Sequence, residues 1–136
     1  MTPPPADVPP LTMGIGGLAA AFLTSGVLHV VRPQVFEPTI PPQLPQPRQL
    51  VVWSGVAELV CGAGMLVPQT RRLAGLASAA LLLGVWPANA QMLVSAHGRA
   101  QREPRSWVAQ VERAVTAIRV PLQVPLIRIA LRAAGR

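Results

Sequence analysis

The chain has 136 residues, 51% of them apolar and only 12% charged, with a formal net charge of +7 whose basic part is all Arg and no Lys. A charged share near half of the usual ~25%, with the arginines gathered between and at the ends of uncharged runs, points to contact with anionic lipid and argues against a nucleic-acid surface. Cys61 is the sole cysteine, which excludes an intramolecular disulfide and a Cys-x-x-Cys redox pair.

Residues 1–10, MTPPPADVPP, read as a proline-rich tail. They carry no Lys or Arg and lead to no clear cleavage site, so the run that follows is expected to be a retained anchor, not a secretory signal. From Leu11 to Val31 there is no Asp, Glu or Arg in 21 residues. About twenty apolar residues, rising about 1.5 Å each, cross a hydrocarbon core of about 30 Å. The run lacks the polar stripe that a soluble bundle helix needs at a 3.6-residue period. Gly17, Ala21, Ser25 and His29 form a column at four-residue spacing, which predicts close approach of another helix backbone.

Arg32 to Arg48, RPQVFEPTIPPQLPQPR, holds six of the sixteen prolines. Such a segment is expected to be a stiff extended loop of polyproline character that caps one end of the helices. Its PxxP spacing also fits partner recognition, but that spacing arises in any proline-rich segment.

The second apolar run, residues 50–67, reads LVVWSGVAELVCGAGMLV and contains one acid, Glu58. A charge at mid-depth costs about 2.5–3.5 kcal/mol on insertion scales, while each Leu or Val returns about 0.3–0.6 kcal/mol. The carboxylate therefore needs a partner among neighbouring helices. Ser54, Glu58 and Gly62 share a face, with Gly55 and Cys61 alongside, and packing of this face on the first run would bring Ser25 or His29 toward Ser54 and Glu58.

Residues 73–94 carry no charge and form the third predicted span. Pro87 removes a backbone hydrogen bond and frees the Leu83 carbonyl, so a kink is expected. Asn89 and Gln91 either mend that break or face a ligand. Trp86, in mid-segment, is expected between helices, whereas Trp53 and Trp107 near segment ends suit interfacial anchors. Ser95 to Arg105 reads as a polar connection. The fourth predicted span, residues 117–134, contains Pro121, Pro125 and Arg128 between Arg119 and Arg132. It crosses if the arginines snorkel to the head groups; the alternative is an amphipathic helix on the surface. The expected fold is thus all-α: a polytopic membrane four-helix bundle over residues 11–134, with a proline-rich loop after helix 1 and its orientation open.

The succession of His29 with Pro33 and Phe36, then IPPQLP, SGVAEL with Glu58, LVPQTRRLAG, WPANAQM and RVPLQVPLIRIAL resembles the DoxX-like family of small bacterial integral membrane proteins, from about Gly26 to Leu131. The resemblance implies a four-helix bundle in the cell membrane, supports the fourth crossing, and marks His29, Glu58, Pro87, Asn89, Arg119 and Gln123. With Ser54, five of these form an expected intramembrane polar cluster: His29, Glu58, Asn89, Arg119 and Gln123.

Two functions are expected from this. One is a small accessory subunit of a quinone-linked membrane redox complex, without catalysis of its own and with a protein partner, in which Glu58 pairs with Arg119 or His29. The other is a bundle that holds a quinone or lipid in a polar crevice of His29, Ser54, Glu58 and Asn89, with Ser25 and Trp86 in its lining. No metal site is expected, since two histidines, one at a span end and one in a loop, do not make a haem or metal cage. Ser25, Ser54 and Cys61 carry no signature of an activated nucleophile.

Overall fold

The computed structural model describes residues 7–136, so the first part of the expected N-terminal tail, residues 1–6, lies outside the described residues. Four α-helices account for most of the rest: α1 (Met13–Val31), α2 (Pro47–Leu66), α3 (Arg71–Arg102) and α4 (Trp107–Ala133). Each is long and apolar enough to cross a membrane. Among the described residues there is no strand.

Local chemistry explains most of the boundaries. Thr12 caps α1 by accepting from the Ile15 N–H at 3.3 Å, and Ser106 caps α4 by accepting from the Ala109 N–H at 3.3 Å. Each cap satisfies an N–H that has no partner inside the helix. Pro47 opens α2 at its first position, where the missing N–H costs nothing and the fixed φ suits a helix. Pro104 disfavours helical backbone at Glu103, the residue that ends α3.

Two expectations need correction. The segment after α1 is not extended, because Pro33–Val35 and Glu37–Thr39 are 3-10 turns. Each turn has Pro near its start, where a preset φ and an absent N–H are tolerated, and Thr39 secures the second turn by donating to the Phe36 carbonyl at 2.7 Å. Residues 95–102 are not a polar connection either, since α3 runs on to Arg102 and α4 begins at Trp107. Ala96, Ala100 and Ala109 are buried there, so small side chains zip the two helices together beyond the apolar runs. Gln110 adds a hydrogen bond to the Ala100 carbonyl at 3.1 Å, and Arg99 meets Glu112 at 2.7 Å. The fourth helix is accordingly 27 residues long, about 40 Å at 1.5 Å per residue. Pro87 lies inside α3, and Pro121 and Pro125 lie inside α4.

The helices pack as two tight hairpins, α1 with α2 and α3 with α4, that meet more loosely through α2 and α3 and least through α1 and α4. Within the first hairpin the closest approach is at Gly26 and Gly55. A Cβ on Gly26 would lie 2.7 Å from the Gly55 carbonyl oxygen, and one on Gly55 would lie 2.6 Å from the His29 Cβ. Gly62 continues the seam against the Ala19 carbonyl. The expected column is therefore only partly right: Gly17 has open space beside it, and Ala19 and Gly26, seven residues and about two turns apart, carry the close contact.

The packed core lies where α1 and α3 begin and α2 and α4 end. Ile15, Leu18, Ala19, Phe22, Met65, Ala74, Leu82, Ala130 and Ala133 belong to it. Arg71 closes this end. It is 5% exposed, donating from Nε to the Met65 carbonyl at 2.7 Å, from Nη2 to the Leu66 carbonyl at 3.1 Å and from Nη1 to the Pro9 carbonyl at 2.8 Å. Thr70 adds a bond to the Gly64 carbonyl at 2.8 Å. Three of the last carbonyls of α2, which have no partner within the helix, are thus satisfied from the turn that follows.

Candidate functional site

Toward the other end the two hairpins part and leave a cavity of about 500 Å³. Its volume falls in the range of about 300–1,000 Å³ usual for small-molecule sites. Every helix contributes to the wall, and Phe36, Thr39, Ile40, Pro41 and Leu44 of the proline-rich connection close it from one side. Most of the lining is aliphatic or aromatic, including Leu18, Phe22, Leu81, Leu82, Met92 and Leu126. The polar groups are few and come from separate elements: Ser25 and His29 on α1, Ser54 and Glu58 on α2, Asn89 on α3, and Arg119 and Gln123 on α4.

The six residues of the expected cluster, together with Ser25, therefore line one space. Trp86 does not. Leu82, Val85, Asn89 and Met92, spaced three and four residues apart, line the cavity, and Trp86 is rotated by about 100° from Val85 on a helix of 3.6 residues per turn. Gln91 also points elsewhere, its amide donating to the Ser95 hydroxyl at 3.4 Å.

His29 is held from three directions. Its Nδ1 lies 2.7 Å from the Ser25 carbonyl oxygen. That oxygen has no proton to give, so Nδ1 carries the proton and donates it. The same nitrogen lies 3.2 Å from the Ser25 hydroxyl and 3.6 Å from Glu58 Oε2. The Phe36 ring stacks on the imidazole, with centroids 4.0 Å apart and planes inclined by 15°. Phe36 reaches this place through the single 3-10 turn Pro33–Val35 that follows α1, a route that helical periodicity does not predict.

Glu58 is brought beside His29 by the Gly26–Gly55 contact, one turn away. Its Oε2 is buried without a hydrogen-bond partner among the described residues. A carboxylate oxygen in that state carries a desolvation cost of the order of 1–3 kcal/mol or more. Asn89 is buried to 9% exposure and lines the cavity. Arg119 shares the cavity with Glu58 yet makes no ion pair within 4.0 Å among the described residues. Gln123 is the exception to this underuse: its Nε2 donates to the Leu82 carbonyl at 3.0 Å and ties α4 to α3. The acceptor is one residue from Leu83, whose carbonyl Pro87 deprives of its helical donor.

Residues 18–134 match the family described as Domain of unknown function (DUF8561). The chain belongs to that family. No curated protein and no solved structure matches it.

Proposed function

We propose that this is a multi-pass protein of the cell membrane whose four-helix bundle holds one small amphipathic molecule, a quinone or a lipid, in the cavity between its hairpins. The observation that carries the reading is the mismatch inside that cavity. An apolar wall surrounds Glu58, Asn89 and Arg119, whose polar atoms are not consumed by one another. The Glu58 oxygen that is buried without a hydrogen-bond partner is costly in protein and in lipid, and a ligand with a polar head and an apolar body removes that cost on binding. The crossing of the bilayer by all four helices, the capping role of the proline-rich connection and the kinship with DoxX-like proteins are parts of the same proposal.

An accessory-subunit role in a membrane redox complex draws on the DoxX-like resemblance and on the outward apolar residues, which suit lipid and partner helices equally. The cavity gives ligand binding the stronger support. Mass spectrometry of the gently purified protein tests it. A stoichiometric quinone or lipid is expected with the wild type and should be lost from Ser54→Leu, which puts a larger apolar side chain into the cavity wall. Co-purifying protein chains with no retained small molecule would favour the subunit role and refute the ligand.

A further inference from the structure

The cavity continues sideways. A second hollow of about 490 Å³ adjoins it and shares Ala21, Ser25, Phe36 and Arg119 with it. Its remaining walls are Ala20, Thr24 and Leu28 of α1, so the opening lies between α1 and α4, the least closely packed neighbours in the bundle. With α1 and α4 both crossing the bilayer, as proposed above, an opening between them is reached from the lipid.

We infer that the gap between α1 and α4 is a side door through which the cavity takes an acyl lipid bearing an oxyanion, a carboxylate or a phosphate, with Arg119 as its anchor. This rests on the ligand-binding reading above and names the chemical class of the ligand. Arg119 is the one residue of α4 that lines both spaces, and it is exposed. Its guanidinium has no ion pair among the described residues, while the Glu58 carboxylate across the cavity has the His29 imidazole at 3.6 Å. The cation at the door therefore keeps its hydrogen-bonding capacity for a guest, with Glu58 facing it only from across the cavity, beyond ion-pair reach. A guanidinium grips carboxylate or phosphate with two parallel hydrogen bonds. The Asn89 amide and the Ser25 and Ser54 hydroxyls are the other polar groups near the head, and the Leu, Val, Phe and Met wall accepts the tail. Ala20 and Ala21 are the smallest side chains that α1 offers beside the door, which leaves room for a chain to slide in.

The test uses the full chain in phosphatidylcholine nanodiscs and three probes: oleate, phosphatidylglycerol, and oleyl alcohol, which has the tail of oleate without its charge. Bound probe is read by native mass spectrometry. The wild type is expected to retain oleate or phosphatidylglycerol about tenfold more strongly than oleyl alcohol, the factor of a single charge-assisted hydrogen bond. Retention of oleate alone identifies a free acid, and retention of phosphatidylglycerol alone identifies a phospholipid head. Arg119→Gln should erase the preference, Arg119→Lys should keep part of it, and oleyl alcohol binding should be the same in all three proteins. Ala21→Leu keeps Arg119 and narrows the door, so it should slow oleate uptake several-fold even if Arg119→Gln fails to fold. Equal retention of oleate and oleyl alcohol by the wild type, an unchanged preference in folded Arg119→Gln, or unchanged uptake in Ala21→Leu overturns the side door and its anchor while leaving a ligand in the cavity. Retention of none of the three overturns the acyl-lipid anchor, and absence also of any molecule carried through gentle purification overturns the ligand reading itself.

Discussion

The two ends of the bundle treat an arginine and its surroundings in opposite ways. At the closed end Arg71 gives its protons to three backbone carbonyls, and alanines and Gly75 let the helices touch. At the open end Arg119, Glu58 and Asn89 face a common space without taking up one another's hydrogen-bonding capacity. The first arrangement stabilises the fold; the second leaves binding capacity for a guest. Burial alone does not mark a functional arginine in this protein, because the more buried of the two is a helix cap.

Substitutions can break or sharpen this contrast. The largest effect is expected at the closed end, where Arg71→Ala strips charged donors from the Met65 and Leu66 carbonyls and should cost about 3 kcal/mol or more, seen as a loss of folded yield and melting temperature in detergent. Gly26→Ala, at the seam that sets His29 beside Glu58, forces a methyl against the Gly55 carbonyl and should cost about 1–3 kcal/mol while weakening ligand retention. Gln123→Leu removes the bond to the Leu82 carbonyl from a buried site and should cost about 1–2 kcal/mol. Glu58→Gln should lie within about 1 kcal/mol of wild type in the empty protein, because the oxygen it replaces has no hydrogen bond to lose and a charge is removed from an apolar wall. A melting loss comparable to that of Arg71→Ala would show that the open end is structural after all. Smallest of all should be Arg99→Ala, whose half-exposed pair with Glu112 is worth about 0.2–1 kcal/mol; a large loss there would mean that the hairpin tip bears on the core.

The site was legible to different depths. Glu58 stood out because lipid makes an idle acid expensive, and Ser54, on its face one turn earlier, followed from helical spacing. His29 and Ser25 followed from the column on the first run, although the actual backbone contact proved to be Ala19 and Gly26. Arg119 and Gln123 came only through the DoxX-like resemblance, since nothing in the fourth run distinguishes them from arginines and amides at a helix surface. Phe36 and the role of Arg71 were not legible. Phe36 reaches His29 from between two 3-10 turns that proline content does not specify, and Arg71 looked like one more basic residue at a membrane edge until its three carbonyl partners were placed around it.

Long stretches with little or no charge are a property of composition along a line, so the first three apolar helices could be read before any packing was known, whereas the fourth, with Arg119, Arg128 and Arg132, keeps a surface-helix alternative in the sequence. The extension of the last two helices beyond those stretches could not, because Ala96, Ala100 and Ala109 acquire their value only when the other helix lies against them. The same holds for the cavity: whether Glu58 and Arg119 meet or stand apart depends on how far the two hairpins separate, and no single segment carries that distance. Side-chain identity limits which contacts are affordable, and the three-dimensional arrangement selects among them because close packing lets only a few pairs of backbones come together at once.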